Sequence, residues 1–355
     1  MKFTVGPVEM YEETLKLRGE QIPYFRTSEF GEMMLRTDGR LKELIGCEKE
    51  GQIVYLTASG TGAMESVVIN CFDGRDKVLV INGGSFGARF SSLCGIHRIN
   101  HEEIKVPFEK DLEENMLTAY ENAGYTALLV NINETSLGKL YDINLLSQFC
   151  KRNNMYLIVD AIGSLFMDEI DMKKTGIDGL IFSSQKALSL APGMSYVALS
   201  KKLLEERVYD IETKCMYLDF KDHIKNFERG QTPFTPAVGI CYELSNMVDR
   251  LYEKGIEKIV NEKRDLASGF RRKVKDYGFA IPEYRLSNAL TPVLFKDHAY
   301  DVYVELKDRY NLIVNPSGGE YANRMLRIGH MGNLKPSDYE ELLEKMIGLY
   351  KEYDR

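Results

Sequence analysis

Long apolar runs are missing from this 355-residue chain. No stretch approaches the roughly 20 apolar residues of a membrane-spanning helix, so no membrane partner is expected. The opening MKFTVGPVEM lacks the apolar core of a signal peptide, and a cytoplasmic protein is expected. Paired cysteines are missing too. Cys47, Cys71, Cys94, Cys150, Cys215 and Cys241 stand apart with no C-x-x-C spacing, which fits reduced, buried thiols. Positive charge is in deficit: 46 Lys and Arg against 53 Asp and Glu leave a formal net charge of -7. Such a surface repels a phosphate backbone, which argues against nucleic acid as a partner; an anionic substrate would need a local positive site. Both common nucleotide loops are absent, since no G-K-[ST] follows a glycine turn and no G-x-G-x-x-G occurs. There is no internal repeat and no low-complexity linker.

What is present is ordinary globular material. Apolar residues make up 44% and charged residues 28%; at about 150 residues per domain, the length suits two domains. Over residues 52–200, β-rich runs alternate with helical patterns. The strand candidates are 52–58, 77–82, 103–107, 127–133, 155–160, 179–184 and 195–200. Runs such as LLVNI and LIVDA are almost wholly apolar, as in strands covered on both faces. Helical patterns fall at 62–72, 111–123 and 142–153. This alternation predicts an α/β fold with a mostly parallel sheet. Beyond residue 236 two long amphipathic helices are expected, 236–254 and 256–277, with Gly255 as the stop between them. A strand–helix–strand–helix tail follows (290–295, 299–309, 325–329 and 336–353), read as a smaller α+β unit.

Three signals converge on one edge of the predicted sheet. The first is TASGTGA, residues 57–63, after a strand and at the start of a helix. Free N–H groups at a helix start, glycines that permit close approach and the Thr61 hydroxyl suit an anion such as phosphate; a plain capped turn would read the same. The second is Asp160, ending LIVDA. A carboxylate at the C-terminal end of a parallel strand lies where α/β folds place ligands, and its burial calls for a cation; a satisfied N-cap is the alternative. The third is Lys186, just past the strand GLIFSS. A desolvated lysine becomes a Schiff-base nucleophile, whereas a snorkelling lysine is the bland reading. Phe86, after the strand 77–82, could stack on a flat ring. Thr135 in ETSLG offers a hydroxyl, and Arg327 in MLRIG suits bidentate binding of a carboxylate.

The ordered set SGTGA, ETSLG, VDAIGS, SSQKAL, TPFT and LRIGHMG resembles the class V aminotransferases among the fold type I enzymes that use pyridoxal 5'-phosphate (PLP). It is similar above all to alanine/serine–glyoxylate and 2-aminoethylphosphonate–pyruvate aminotransferases, over nearly the whole chain. The resemblance implies a large PLP-binding domain at 15–245 and a small domain from 1–14 and 246–355. It implies that Thr61, Gly62, Ala63 and Gln185 hold the cofactor phosphate. Phe86 would stack on the ring where the family usually has Trp or Tyr. Thr135 would lie by the ring edge, Asp160 on the ring nitrogen, and Lys186 would carry the cofactor as a Schiff base. Thr232 would reach the phosphate of a neighbouring subunit, which implies a homodimer with shared sites. Arg327 would bind the substrate carboxylate, and Gly6, with Arg26 less directly, would border the substrate. The implied activity is ping-pong transfer of an amino group between a small amino acid, or 2-aminoethylphosphonate, and a 2-oxo acid such as pyruvate or glyoxylate.

Other readings fit less well. A PLP-dependent lyase on the same scaffold is the alternative. A cysteine desulfurase needs a late catalytic cysteine, and none follows Cys241. A non-enzymatic sensor would not need the set Lys186, Asp160 and Arg327. His97 and His101, four apart on a possible helix, lack further ligands, so no metal site is expected.

Overall fold

The computed structural model describes residues 1–353. In chain order the strands are β1 (Lys2–Phe3), β2 (Gln52–Leu56), β3 (Lys77–Asn82), β4 (Asn100–Lys105), β5 (Ala127–Asn131), β6 (Asn133–Glu134), β7 (Lys139–Leu140), β8 (Tyr156–Asp160), β9 (Gly179–Ser183), β10 (Ser195–Leu199), β11 (Leu290–Leu294), β12 (Ile313–Pro316) and β13 (Met325–Gly329). Seven of them form one sheet in the order β2-β10-β9-β8-β5-β3-β4. The pairs β3–β4, β3–β5, β5–β8 and β8–β9 are parallel. Only β10 runs against its neighbours. Because β10 opposes both β2 and β9, those two share a direction, and the C-terminal ends of β2, β3, β5, β8 and β9 lie along one edge.

The strand sequences explain the burial. Side chains alternate across a sheet. In β5 and β8, Leu128, Val130, Leu157 and Val159 enter one core, which also holds Phe30, Leu41, Leu244 and Val248 from the helices Ser28–Ile45 and Val238–Lys254. Ala127, Leu129, Tyr156 and Ile158 enter the opposite core, with Val67, Val68 and Phe90 from the helices Gly60–Cys71 and Gly87–Ile96. The sheet is thus the middle of three layers, which is why both faces of β5 and β8 had to be apolar.

A second sheet, β1-β12-β13-β11, packs on the helices Ile256–Asp276, Ala299–Tyr310 and Pro336–Tyr353 through Phe270, Val274, Val302, Leu306, Leu342 and Met346. The first residues of the chain enter it, since β1 pairs in parallel with β12.

Three expectations need correction. The helix expected over 111–123 shrinks to Glu114–Thr118. Just before its expected start, the carbonyls of Pro107 and Lys110 are drawn to the buried ammonium of Lys139, at 2.7 and 2.6 Å, and the Asp111 carboxylate accepts the Arg285 N–H at 3.0 Å. Tertiary partners override a helical pattern there. The strand expected at 103–107 sits three residues earlier, at Asn100–Lys105. It is an edge strand with only Ile104 buried, so its apolar signal was weak. His97 and His101 share no helix: His97 closes the helix Gly87–Ile96 and His101 lies in β4. His97 Nε2 pairs with Glu65 Oε1 at 2.8 Å, and among the described residues no cluster suited to a metal ion occurs. The tail also holds β12, which was not expected.

The helix Ser28–Ile45 was passed over in the sequence, although its signals are plain. Thr27 caps it by accepting from the Phe30 N–H at 3.2 Å, Gly46 closes it in the left-handed region, and Phe30, Met33, Met34, Thr37, Leu41 and Leu44 recur at helical spacing.

Candidate active site

The strand ends bring most of the singled-out residues to one place. Asp160 is the last residue of β8 and is buried. Its Oδ2 accepts from Asn131 Nδ2 at 2.6 Å and its Oδ1 from the Ile162 N–H at 2.9 Å. Asn131 is the last residue of β5, in direct register with Asp160. Burial pushes the Asp160 carboxyl up to about 6; the two hydrogen bonds and the Lys186 charge oppose that shift. Neither hydrogen-bond donor is a cation, and among the described residues no ion pair neutralises the carboxylate at contact distance.

Lys186 lies three residues beyond β9. Its Nζ donates to the Val5 carbonyl. Burial pushes the ammonium down to about 8, against the pull of Asp160 and with help from Arg327 and Arg89. Gly6 lies against this lysine: a Cβ built there would sit 2.6 Å from Lys186 Cδ, and Gly6 has φ of +118°. Gly6→Ala is therefore expected to displace the lysine stem and weaken cofactor binding by about tenfold or more, a loss of at least ~1.4 kcal/mol. Equilibrium dialysis with PLP checks this.

Lys139, fully buried, is likewise pushed down to about 8 by burial. Its ammonium is committed to the Pro107 and Lys110 carbonyls and lies 4.7 Å from the Tyr284 ring centroid. It is a tie between loops, with no free face for a substrate.

Arg327 comes from β13 and is half-buried. Its Nη1 donates to the Thr135 carbonyl at 3.0 Å and its Nη2 to the Pro316 carbonyl at 2.8 Å. Its Nε is buried without an acceptor among the described residues. Burial lowers its affinity for its proton, and Glu134 counters. Through Arg327 the second sheet touches the turn that carries Thr135, itself buried.

Thr61, Gly62 and Ala63 form the first turn of the helix Gly60–Cys71. Ser59 caps it, accepting from the Gly62 N–H at 3.4 Å. Thr61 Oγ1 accepts from Arg89 Nη1 at 2.9 Å. Phe86 stands at the start of the helix Gly87–Ile96. Gln185 is half-buried and adjoins Ser184, whose hydroxyl donates to Gln185 Oε1 at 3.4 Å. Thr232 is buried: its hydroxyl donates to the Phe234 carbonyl at 2.7 Å, and its carbonyl accepts from Arg26, distant in sequence, at 3.3 Å. Arg26 is exposed and spends a second donor on the Pro233 carbonyl at 3.2 Å.

Two functional positions were not singled out from the sequence. Asn131 aims its amide at Asp160, and its Oδ1 is buried without a partner among the described residues. Its signal was a lone amide ending the apolar run ALLVN. Glu134 is buried and accepts from the Phe86 N–H at 3.2 Å, the Gly87 N–H at 3.1 Å and the Ser136 hydroxyl at 2.6 Å. It ties the Phe86 turn to the Thr135 turn, so both cover the same strand end.

A flat cationic heterocycle bearing a phosphate and an aldehyde fits these groups. The buried Asp160 carboxylate, the lysine of lowered proton affinity and the opening turn of the helix Gly60–Cys71 supply one partner for each part.

Comparison with known proteins agrees. Residues 21–331 match the family model "Aminotransferase class-V", and the chain belongs to that family. It is a PLP-dependent aminotransferase of fold type I, and the family match favours transamination over the lyase alternative. An L-aspartate–glyoxylate aminotransferase of Paracoccus denitrificans is 26% identical over 352 residues, covering 94% of this chain and 86% of that protein. A Synechococcus protein named as the small subunit of a soluble hydrogenase is 27% identical over 338 residues, covering 92% and 86%. An aspartate aminotransferase of subgroup IV from Thermus thermophilus superposes with a TM-score of 0.90 at 25% identity, covering 99% of each chain.

Proposed function

We propose that this aminotransferase moves the amino group of a small α-amino acid, with aspartate the first candidate, to a small 2-oxo acid such as glyoxylate or pyruvate. Lys186 and Asp160 beside neighbouring strand ends, with Arg327 of the second sheet close enough for its charge to act on Lys186, carry the reading. The names of the Paracoccus and Thermus relatives support the donor. Serine, alanine and 2-aminoethylphosphonate are the donors to test beside it.

In this reading Thr61, Gly62, Ala63 and Gln185 hold the PLP phosphate, Phe86 covers one face of the ring and Thr135 borders it. When bound, the cofactor supplies an electron sink for the bond broken at the substrate carbon. The Asp160 carboxylate would hold the proton of the ring nitrogen. Lys186 Nζ, uncharged in much of the population near pH 8, takes the proton from the substrate carbon and returns it on the far side of the transfer. Arg327 grips the carboxylate of each substrate in turn, and Gly6 keeps the space beside Lys186 open. A single binding place that serves donor and acceptor alternately gives ping-pong kinetics.

The same reading divides the chain into a large domain at 15–245 and a small domain of 1–14 and 246–355. It also makes the active form a cytoplasmic homodimer with Thr232 at the neighbouring site. Exposed Ile22, Tyr24 and Met216 support a second copy, which would cover them.

The test is to load the protein with PLP, record the visible spectrum, and add donors one at a time. The reading expects one donor to bleach the absorption band and glyoxylate or pyruvate to restore it. Product release with the band unchanged would point to a lyase. Arg327→Gln is expected to raise KM for donor and acceptor alike by roughly 10²-fold, through loss of a bidentate charged contact. An equal KM in wild type and variant would remove Arg327 from the substrate site.

A further inference from the structure

Arg89 has no place in the scheme above, yet it touches two of its residues. It stands in the first turn of the helix Gly87–Ile96. Its Nη1 donates to Thr61 Oγ1 at 2.9 Å, and its Cζ lies 4.8 Å from the Phe86 ring centroid. It is half-buried, and its charge is close enough to lower the proton affinity of Lys186. Two helix starts therefore meet here, one giving Thr61 and the other giving Phe86 and Arg89. A phosphate dianion at the Thr61 turn draws on backbone N–H groups and a partial helix charge, which do not neutralise two full charges. A guanidinium bonded to the Thr61 hydroxyl is a full cation at the same spot. Only one of its five N–H donors is spent on that hydroxyl.

We propose that Arg89 is a phosphate-binding residue of the cofactor site, and that it makes the protein prefer phosphorylated pyridoxal to pyridoxal. The proposal rests on the PLP reading. Thr61 holds the guanidinium ready, and its remaining donors bond a phosphate oxygen.

The experiment compares apo wild type, Arg89→Gln and Arg89→Lys by equilibrium dialysis against PLP and against pyridoxal, with inorganic phosphate as competitor. Circular dichroism checks folding. Wild type is expected to bind PLP far more tightly than pyridoxal and to lose PLP to phosphate. In R89Q the dissociation constant for PLP should rise by roughly 10²-fold while that for pyridoxal stays put, and phosphate should compete poorly. R89K, with a point charge in place of the fork, should fall between. Should R89Q not fold, R89K carries the comparison, and an unchanged ratio of PLP to pyridoxal binding would overturn the proposal. So would equal weakening for both ligands, which would mark Arg89 as a structural pin. A wild type that binds neither ligand would overturn the cofactor reading together with this one. A wild type that binds PLP as tightly as R89Q overturns this one alone.

Discussion

Replacing Lys186 with alanine is expected to lower kcat by at least roughly 10³-fold, because the same amine both anchors the cofactor and moves the proton. The visible band of the covalently held cofactor should vanish from the variant. An independent readout comes from the apo protein. Burial holds the folded Lys186 at about 8, below the ordinary lysine value of 10.5. Between those two pH values the unfolded chain binds the proton that the folded chain releases, so apo stability gains a contribution as pH rises through the window, and below pH 8 the buried charge costs stability. In the variant this contribution should be absent. The melting temperatures of wild type and Lys186→Ala, measured from pH 7 to 10.5, should converge toward high pH on the wild-type side of that trend. A wild-type melting temperature that tracks the variant's at constant offset would mean that Lys186 is not desolvated, and a variant with wild-type turnover would remove it from the chemistry.

Asp160→Asn should produce opposite effects on catalysis and on apo stability. Activity is expected to fall on the order of 10³-fold, since the ring nitrogen loses the carboxylate that keeps its proton. The apo protein should become more stable at pH 7.5. The folded carboxyl sits at about 6, above the ordinary aspartate value of 3.8. Between these values the folded chain holds a proton that the unfolded chain has released, so stability falls as pH rises through the window and the loss persists above it. The wild-type penalty at neutral pH is on the order of 1–3 kcal/mol, and asparagine removes it. Asn131 can accommodate the change. Its unpartnered Oδ1 lets the amide turn over and accept from the new side chain, while the Ile162 N–H keeps a carbonyl acceptor. The advantage of the variant should vanish below pH 4. A destabilised apo variant at neutral pH would show that the carboxylate is better satisfied than its two donors suggest.

Much of this site could be read before the fold was known, for identifiable reasons. Asp160 and Lys186 each follow a run of apolar residues that only a doubly covered strand tolerates, so the end of each run marked the sheet edge. Thr61 followed such a run and opened a glycine-rich helix start. Arg89, Glu134 and Asn131 were harder, because each acts through a partner distant in sequence. Arg89 bonds Thr61, Glu134 receives two N–H groups from the Phe86 turn, and Asn131 meets Asp160 only through the register of β5 and β8. No local pattern announces such pairings. The helix expected at 111–123 failed for the same reason, since the Lys110 carbonyl just before it answers to Lys139 and its first side chain, Asp111, to Arg285.

By itself, then, the sequence determined the alternation of strands and helices, the doubly buried character of β5, β8 and β9, and the residue types at their ends. Those follow from local rules: side-chain period, chain stiffness and the cost of burying polar groups. Only the tertiary structure decided the strand order, the reversal of β10 and the return of the first residues to the second sheet. It also decided the placement of Gly6 against Lys186, and that Lys139 is tied between two loop carbonyls while Lys186 stands within reach of the Asp160 charge. These depend on contacts between segments far apart in the chain, whose geometry exists only once both cores have closed around the sheet.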